Sequence, residues 1–234
     1  MVVLFAIAMA WVESAVVYYL RTMINRLEPY QPNPLPIAGG IGTAEVVREA
    51  ATLVMLLLVG ILAGRTWRAR WGYAALAFGV WDIFYYVFLK VLTNWPRTLL
   101  DWDILFLIPL PWWGPVWAPA AIAALMIVWG TLVTHFEDHP DLRVVGWKSL
   151  GACILGMLLA LALFMVDAWR VAGQGEHALR NMLPSQFHWP WFLAALVLMS
   201  APIIKIASQL NLIRGSIRTA IPALKHYVNP SHNQ

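Results

Sequence analysis

Hydrophobic positions dominate this chain in long continuous runs, and most polar positions fall between the runs or close to their ends. Six runs are candidates to cross a bilayer, at about 1–20, 44–64, 72–92, 104–133, 149–170 and 190–212. A spanning helix needs roughly 20 apolar residues, and all but the fourth run have about that length. The fourth is too long for one straight crossing and contains Pro109, Pro111, Pro115 and Pro119. Proline removes a backbone donor and clashes with the preceding helical turn. The stretch 104-ILFLIPLPWWGPVWAP-119 is therefore expected to be a broken or re-entrant element, with a true span from about 120. Irregular backbone at membrane depth is tolerated only where protein or a water-filled cavity surrounds it. Pro202 predicts a milder bend in the last span. The pattern predicts an all-α fold: a polytopic transmembrane helical bundle of about six spans, with residues 1–234 forming a single integral membrane domain.

Composition supports this picture. Hydrophobic residues make up 61% of the chain and charged residues 12%, about half the charged share of a soluble domain. The 14 tryptophans suit anchoring at membrane interfaces. The net charge of +4 is explained by Lys and Arg on the cytoplasmic side. No basic, aromatic-interleaved segment is long enough to prefer nucleic acid. Cys153 is the one cysteine, so the chain forms no internal disulfide and no cysteine-based metal cage. Residues 1–20 lack a basic start and a well-placed cleavage site, so they read as a retained span rather than a signal peptide.

Charge predicts orientation. Arg65, Arg68, Arg70, Arg143, Lys148, Arg214, Arg218 and Lys225 fall at one end of the spans, against Arg21, Arg26, Arg97, Arg170 and Arg180 at the other. The richer side is expected to be cytoplasmic. That places both termini inside, in the inner (plasma) membrane of a bacterium. The loop 27-LEPYQPNPLPIAGGIG-42 is expected to be an ordered turn or lid on the outer face, and the tail after about 214 to lie along the inner one.

Ionisable groups inside a membrane are costly and mark candidate sites. Here they are Glu13, Glu45, Arg48, Glu49, Asp82, Lys90, Asp167 and Lys205, with Asp101 and Asp103 just before the broken element. All except Lys205 are expected between mid-membrane and the outer interface. Glu45, Arg48, Glu49 and Thr52 recur at helical spacing and form one stripe; Asp82, Tyr85 and Tyr86 form another. Glu13 has no polar partner on its own face, so it and Asp82 need partners elsewhere, and Lys90 is a candidate for one of them. Trp112 and Trp113 stand inside the broken element. With Tyr85 and Tyr86 they can wall a pocket for an apolar or cationic ligand, although an aromatic belt also accounts for most of the outer tryptophans. A plain structural role, with acid–base pairs locking helices together, is the competing explanation for the charges.

These residues suggest a polar, aromatic-lined intramembrane pocket in the outer half of the bundle. One expectation is an enzyme using carboxylate acid/base chemistry on a lipid-soluble, isoprenoid-like substrate, because a dry carboxylic acid can protonate an alkene or epoxide. Asp82 and Glu49 are then the acid/base pair and Glu13 an auxiliary acid. Glu45, Arg48, Tyr85, Tyr86, Lys90, Asp103, Trp112 and Trp113 are the ligand-binding candidates. The alternatives are a small proton- or ion-coupled transporter and a non-catalytic subunit or assembly factor of a membrane complex. The expected partners are the lipid bilayer and a lipid-soluble small molecule, with no nucleic acid, metal or cofactor. His135 and His139 lie four apart, but Pro140 follows at once and a solvated loop is the better reading. No nucleotide-binding, zinc-protease or serine-hydrolase motif occurs.

Overall fold

A computed structural model describes residues 1–32, 40–137 and 146–210 of the chain. Its elements are, in order, α1 (Val2–Met23), α2 (Gly40–Ala63), α3 (Trp67–Thr93), β1 (Trp102–Phe106), β2 (Trp112–Pro115), α4 (Trp117–His135), α5 (Trp147–Ala172), α6 (Glu176–Asn181) and α7 (Trp189–Met199). Helix resumes over 201–210 after one turn residue, Ser200. Among the described residues six helices are long and apolar enough to cross a bilayer: α1 to α5, and α7 taken through to Leu210. The expected bend in the last span appears as that interruption. Pro202 has no N–H to offer the carbonyl of Leu198, and Ser200 turns its hydroxyl back onto the carbonyl of Val197 at 2.7 Å.

Helix ends follow local chemistry. Thr66 caps α3, its hydroxyl accepting from the amide of Ala69 at 3.2 Å. Asn94 closes α3 in the left-handed region at φ 57°, a conformation that asparagine tolerates better than most residues.

α3 is the central helix. It packs on α1, α2 and α4, whereas α5 packs chiefly on α7 and on the hairpin. Small residues set the closest approaches. A methyl group at Gly130 would stand 2.5 Å from the carbonyl oxygen of Gly72, and one at Gly156 would stand 2.6 Å from that of Ala195. Any side chain there would push α4 off α3, or α7 off α5.

The proline-rich element is a two-stranded antiparallel hairpin, where a broken helix was one of the expectations. Trp102 pairs with Pro115, Asp103 with Gly114, Ile104 with Trp113 and Phe106 with Trp112, with an irregularity between Ile104 and Phe106. Pro109 and Pro111 fall in the connecting loop and Pro115 ends β2, positions where no ladder donor is lost. Pro119 lies in the first turn of α4, where its missing N–H costs nothing. The span therefore starts at Trp117, slightly before the expected position. The hairpin base is held by the amide of Val116, which donates to the Asp101 carbonyl at 3.0 Å, and by the amide of Trp117, which donates to Leu99 at 2.8 Å. Its flanks are covered by Phe164, Ala168, Met182 and Phe187. The expected loop over 27–42 and the tail after 214 fall partly or wholly outside the described residues, as do His139, Arg143, Arg214, Arg218 and Lys225.

Candidate functional site

A cavity of about 1120 Å³ runs between the α1–α4 group and the α5–α7 pair, with the hairpin over one end. Its lining reaches from Arg26 and Pro29 to Arg68 and Trp71, at opposite ends of the helices. Glu13, Glu45, Arg48, Glu49, Asp82, Tyr85, Tyr86 and Trp112 all line it. The cavity wall is mostly apolar below these groups. Leu53 and Leu57 of α2, and Leu150 and Met157 of α5, line it and are each more than a third exposed, so the cavity opens sideways between those helices.

Helical spacing builds the charged end. On α2, Glu45, Arg48, Glu49 and Thr52 share one face, as the stripe predicts. Arg48 donates through Nε to Glu45 at 3.0 Å and also pairs with Glu13 across on α1. Thr52 donates to the other oxygen of Glu13 at 3.2 Å. The partner that Glu13 lacks on its own helix is therefore supplied by α2. Glu49 does not share Arg48 by hydrogen bond. It accepts instead from the backbone amide of Leu107 in the hairpin loop, at 2.9 Å.

A second ion pair ties the hairpin to the helices. Asp103, only 1% exposed, accepts from Arg21 at 2.9 Å and from the Tyr86 hydroxyl at 3.1 Å. The Arg21 guanidinium also sits 4.6 Å from the ring centre of Trp95. Sequence reasoning counted Arg21 as a loop charge, yet it lies within α1 and is buried. Its signal was present: Glu13, Val17 and Arg21 repeat every four residues along one face of α1.

Asp82 stands apart from these pairs. It is 7% exposed, forms no ion pair, and no hydrogen bond reaches it among the described residues; its Oδ2 is fully enclosed without a protein partner. An uncompensated carboxylate in such a place costs several kcal/mol. Beside it, aromatic rings follow one another around the cavity wall. Centroid separations are 6.1 Å from Tyr85 to Trp81, 5.3 Å to Phe78, 6.5 Å to Phe106, 5.1 Å to Trp112 and 6.5 Å to Phe164. Of these, Trp81, Phe78, Phe106 and Phe164 escaped the sequence-based reading. Their ring contacts form only once the fold joins α3, the hairpin and α5.

Other candidates lie elsewhere. Lys90 is exposed at the end of α3 and donates to the carbonyl of Asn94 at 3.3 Å, serving neither Glu13 nor Asp82. Trp113 is buried on the far side of the hairpin with Ala168 and Met182. Asp167 pairs with Arg170 at 2.9 Å, and Lys205 is exposed. Asp101 sits in the turn before β1. Burial alone would raise its carboxyl, but the Thr98 hydroxyl and the Arg97 amide donate to it at 2.8 and 2.7 Å and hold it below the usual carboxylate range. Among the described residues no group of three or more His, Cys, Asp or Glu side chains is arranged to hold a metal ion.

Six long apolar helices around this cavity define an integral, multi-pass membrane protein in contact with the lipid bilayer. Compared with family models, with curated proteins and with solved structures, the chain shows no significant match.

Proposed function

We propose that the cavity is the active site of a membrane enzyme that performs acid/base chemistry on an isoprenoid-like alkene, entering sideways from the bilayer between α2 and α5. The observation that carries this reading is the state of Asp82. Glu13 and Glu45 are committed to Arg48, and Asp103 to Arg21, while Asp82 faces the cavity with neither a cation nor a donor. As a neutral acid it can donate a proton to one carbon of a C=C bond. A new C–H bond forms from the π electrons and positive charge develops on the other carbon. Loss of a proton from a neighbouring carbon to the Glu49 carboxylate restores neutrality and leaves an isomer of the substrate. Return of that proton to Asp82 closes the cycle without an oxidant or reductant. Glu13 is then a holding group that clips α1 to α2, and Arg21 and Asp103 fix the hairpin that roofs the site. The polar end of the cavity faces the outer half of the bundle, and the Arg65–Arg70 end faces the cytoplasm of a bacterial inner membrane, with both termini inside.

The test is turnover of a panel of isoprenoid alkenes by the purified chain in lipid nanodiscs made up in D2O. Deuterium incorporation into an isomerised product, lost in Asp82→Asn and strongly reduced in Glu49→Gln, is the expected result. Full turnover by a folded Asp82→Asn variant would exclude Asp82 as the acid.

One observation favours a second reading, a proton- or ion-coupled carrier: the cavity lining runs nearly from one end of the helices to the other. Against it, the acids lining the cavity belong to one half. Among the described residues the charged side chain in the lining at the opposite end is Arg68, which donates to the carbonyl of Phe136 at 2.7 Å. Proton-coupled uptake by sealed vesicles carrying the protein would decide for the carrier.

A further inference from the structure

We infer that the cavity is built to hold an apolar chain bearing one positive charge, set between the aromatic arc and the carboxyls of Glu49 and Asp82. This deepens the reading above, since proton transfer to an alkene passes through such a cation, but it rests on separate observations.

The first is charge balance. Five acids gather at the polar end, Glu13, Glu45, Glu49, Asp82 and Asp103; Arg21 and Arg48 are paired with three of them, and Arg26 lines the cavity at its rim, past Arg21 at the end of α1. Glu49 takes its hydrogen bond from a backbone amide and feels Arg48 through space, while among the described residues Asp82 has neither an ion pair nor a hydrogen bond, so negative charge is left uncompensated at Asp82, beside the arc.

The second is the arc itself. The ring faces of Trp81, Phe78, Phe106 and Trp112 carry negative electrostatic potential, which attracts a cation within about 6 Å. Among the described residues the cation–ring contacts lie elsewhere: Arg21 on Trp95, Arg70 on Trp67 and Lys148 on Trp147. Among the described residues no cationic side chain lies over a ring of the arc.

The third is shape. From Asp82 down α3 to Arg68 is 14 residues of helix, roughly 21 Å at the usual rise, along an apolar wall open to one side. That length suits an extended chain on the order of 16 carbons, with the charge at its Asp82 end. A neutral hydrocarbon would use the wall but neither the arc nor the carboxyls. An anion would meet the uncompensated acid.

The experiment compares three probes with the same long alkyl chain, binding to the full-length protein in nanodiscs of zwitterionic lipid. The probes are a dimethylalkylamine, protonated at neutral pH, its uncharged carbon isostere, and the alkyl carboxylate. Empty nanodiscs correct for partitioning. The expected result is that the amine binds at least about tenfold more tightly than the isostere and that the carboxylate binds weakest. Trp112→Leu combined with Phe106→Leu should cut the amine's advantage over the isostere, both measured on that variant, to about twofold or less. Trp112→Phe, which keeps a ring and the packing against Phe164, should retain most of the advantage. Equal binding of amine and isostere overturns the inference, as does an advantage untouched by loss of the rings. Deuterium-incorporating turnover without cation preference would overturn this inference and leave the enzyme standing. Cation preference without turnover of any alkene would support a lipophilic-cation site and remove the enzyme.

Discussion

Two groups of carboxyls lie within the same charged end, and their surroundings differ sharply. At the seam of α1 and α2, Glu13 and Glu45 close on Arg48, and Thr52 adds a hydroxyl. On α3, Asp82 is buried as deeply and has neither counter-charge nor donor. Membrane depth alone cannot explain this, because both sites belong to one cavity. The seam needs its charges because α1 and α2 pack on α3 more than on each other. The α3 position needs none for packing, since α1, α2 and α4 already surround that helix. A buried carboxyl without a structural partner is the kind of group that the proposed function requires.

The comparison can be broken by substitution. Asp82→Asn, nearly isosteric, is expected to lower turnover by about a hundredfold or more, with stability unchanged or slightly raised; loss of stability with retained turnover would place Asp82 with the structural pairs. Arg21→Leu should do the reverse, leaving Asp103 buried and unpaired and costing about 3–5 kcal/mol, measured by unfolding in detergent titrations. Arg48→Leu should follow at about 3 kcal/mol, partly recovered by adding Glu13→Gln, because the double change removes one of the two stranded acids. A double variant no more stable than Arg48→Leu alone would show that Glu13 is not held by that pair. Thr52→Val should cost about 1 kcal/mol and leave turnover within a few-fold.

The smallest expected effect lies outside the cavity, at Asp101. Its hydrogen bonds favour the charged form, so its folded pKa is lower than its unfolded one, and its contribution is present above the unfolded value. Stability should decline as pH falls below about 4, and Asp101→Asn should remove that part of the decline. The side chain is half-buried and its partners lie at the surface, so the effect should stay below about 1 kcal/mol.

Much of the fold was legible in local pattern. Runs of apolar residues mark the helices, and the four-residue rhythm of Glu45, Arg48, Glu49 and Thr52 marks a face that the structure turns into the cavity. The proline cluster announced a break, but not a hairpin. Its strands lack clear alternation, and their pairing is completed by Gly114, whose bare backbone lies against Phe164 some fifty residues on. Long-range partners were the least readable part. Glu49 is a neighbour of Arg48 on the helix, yet its hydrogen bond comes from a backbone amide of the hairpin loop. Lys90 looked available to an acid and instead reaches the carbonyl of Asn94. The first partner is set by contacts far along the chain, the second by the helix end only four residues away.

The hairpin also has a consequence for how the chain is made. Its cover comes from Phe164, Ala168 and Phe187, and from Phe192 behind them. At roughly 5–20 residues per second, the ribosome needs roughly 4–15 s after finishing β2 to reach that last phenylalanine. During that interval the tryptophans of β2 have no finished wall to pack against. Nascent chains halted after α4 should therefore be the species that insertion chaperones hold and quality-control proteases remove. The roof of the site is laid before the walls that support it.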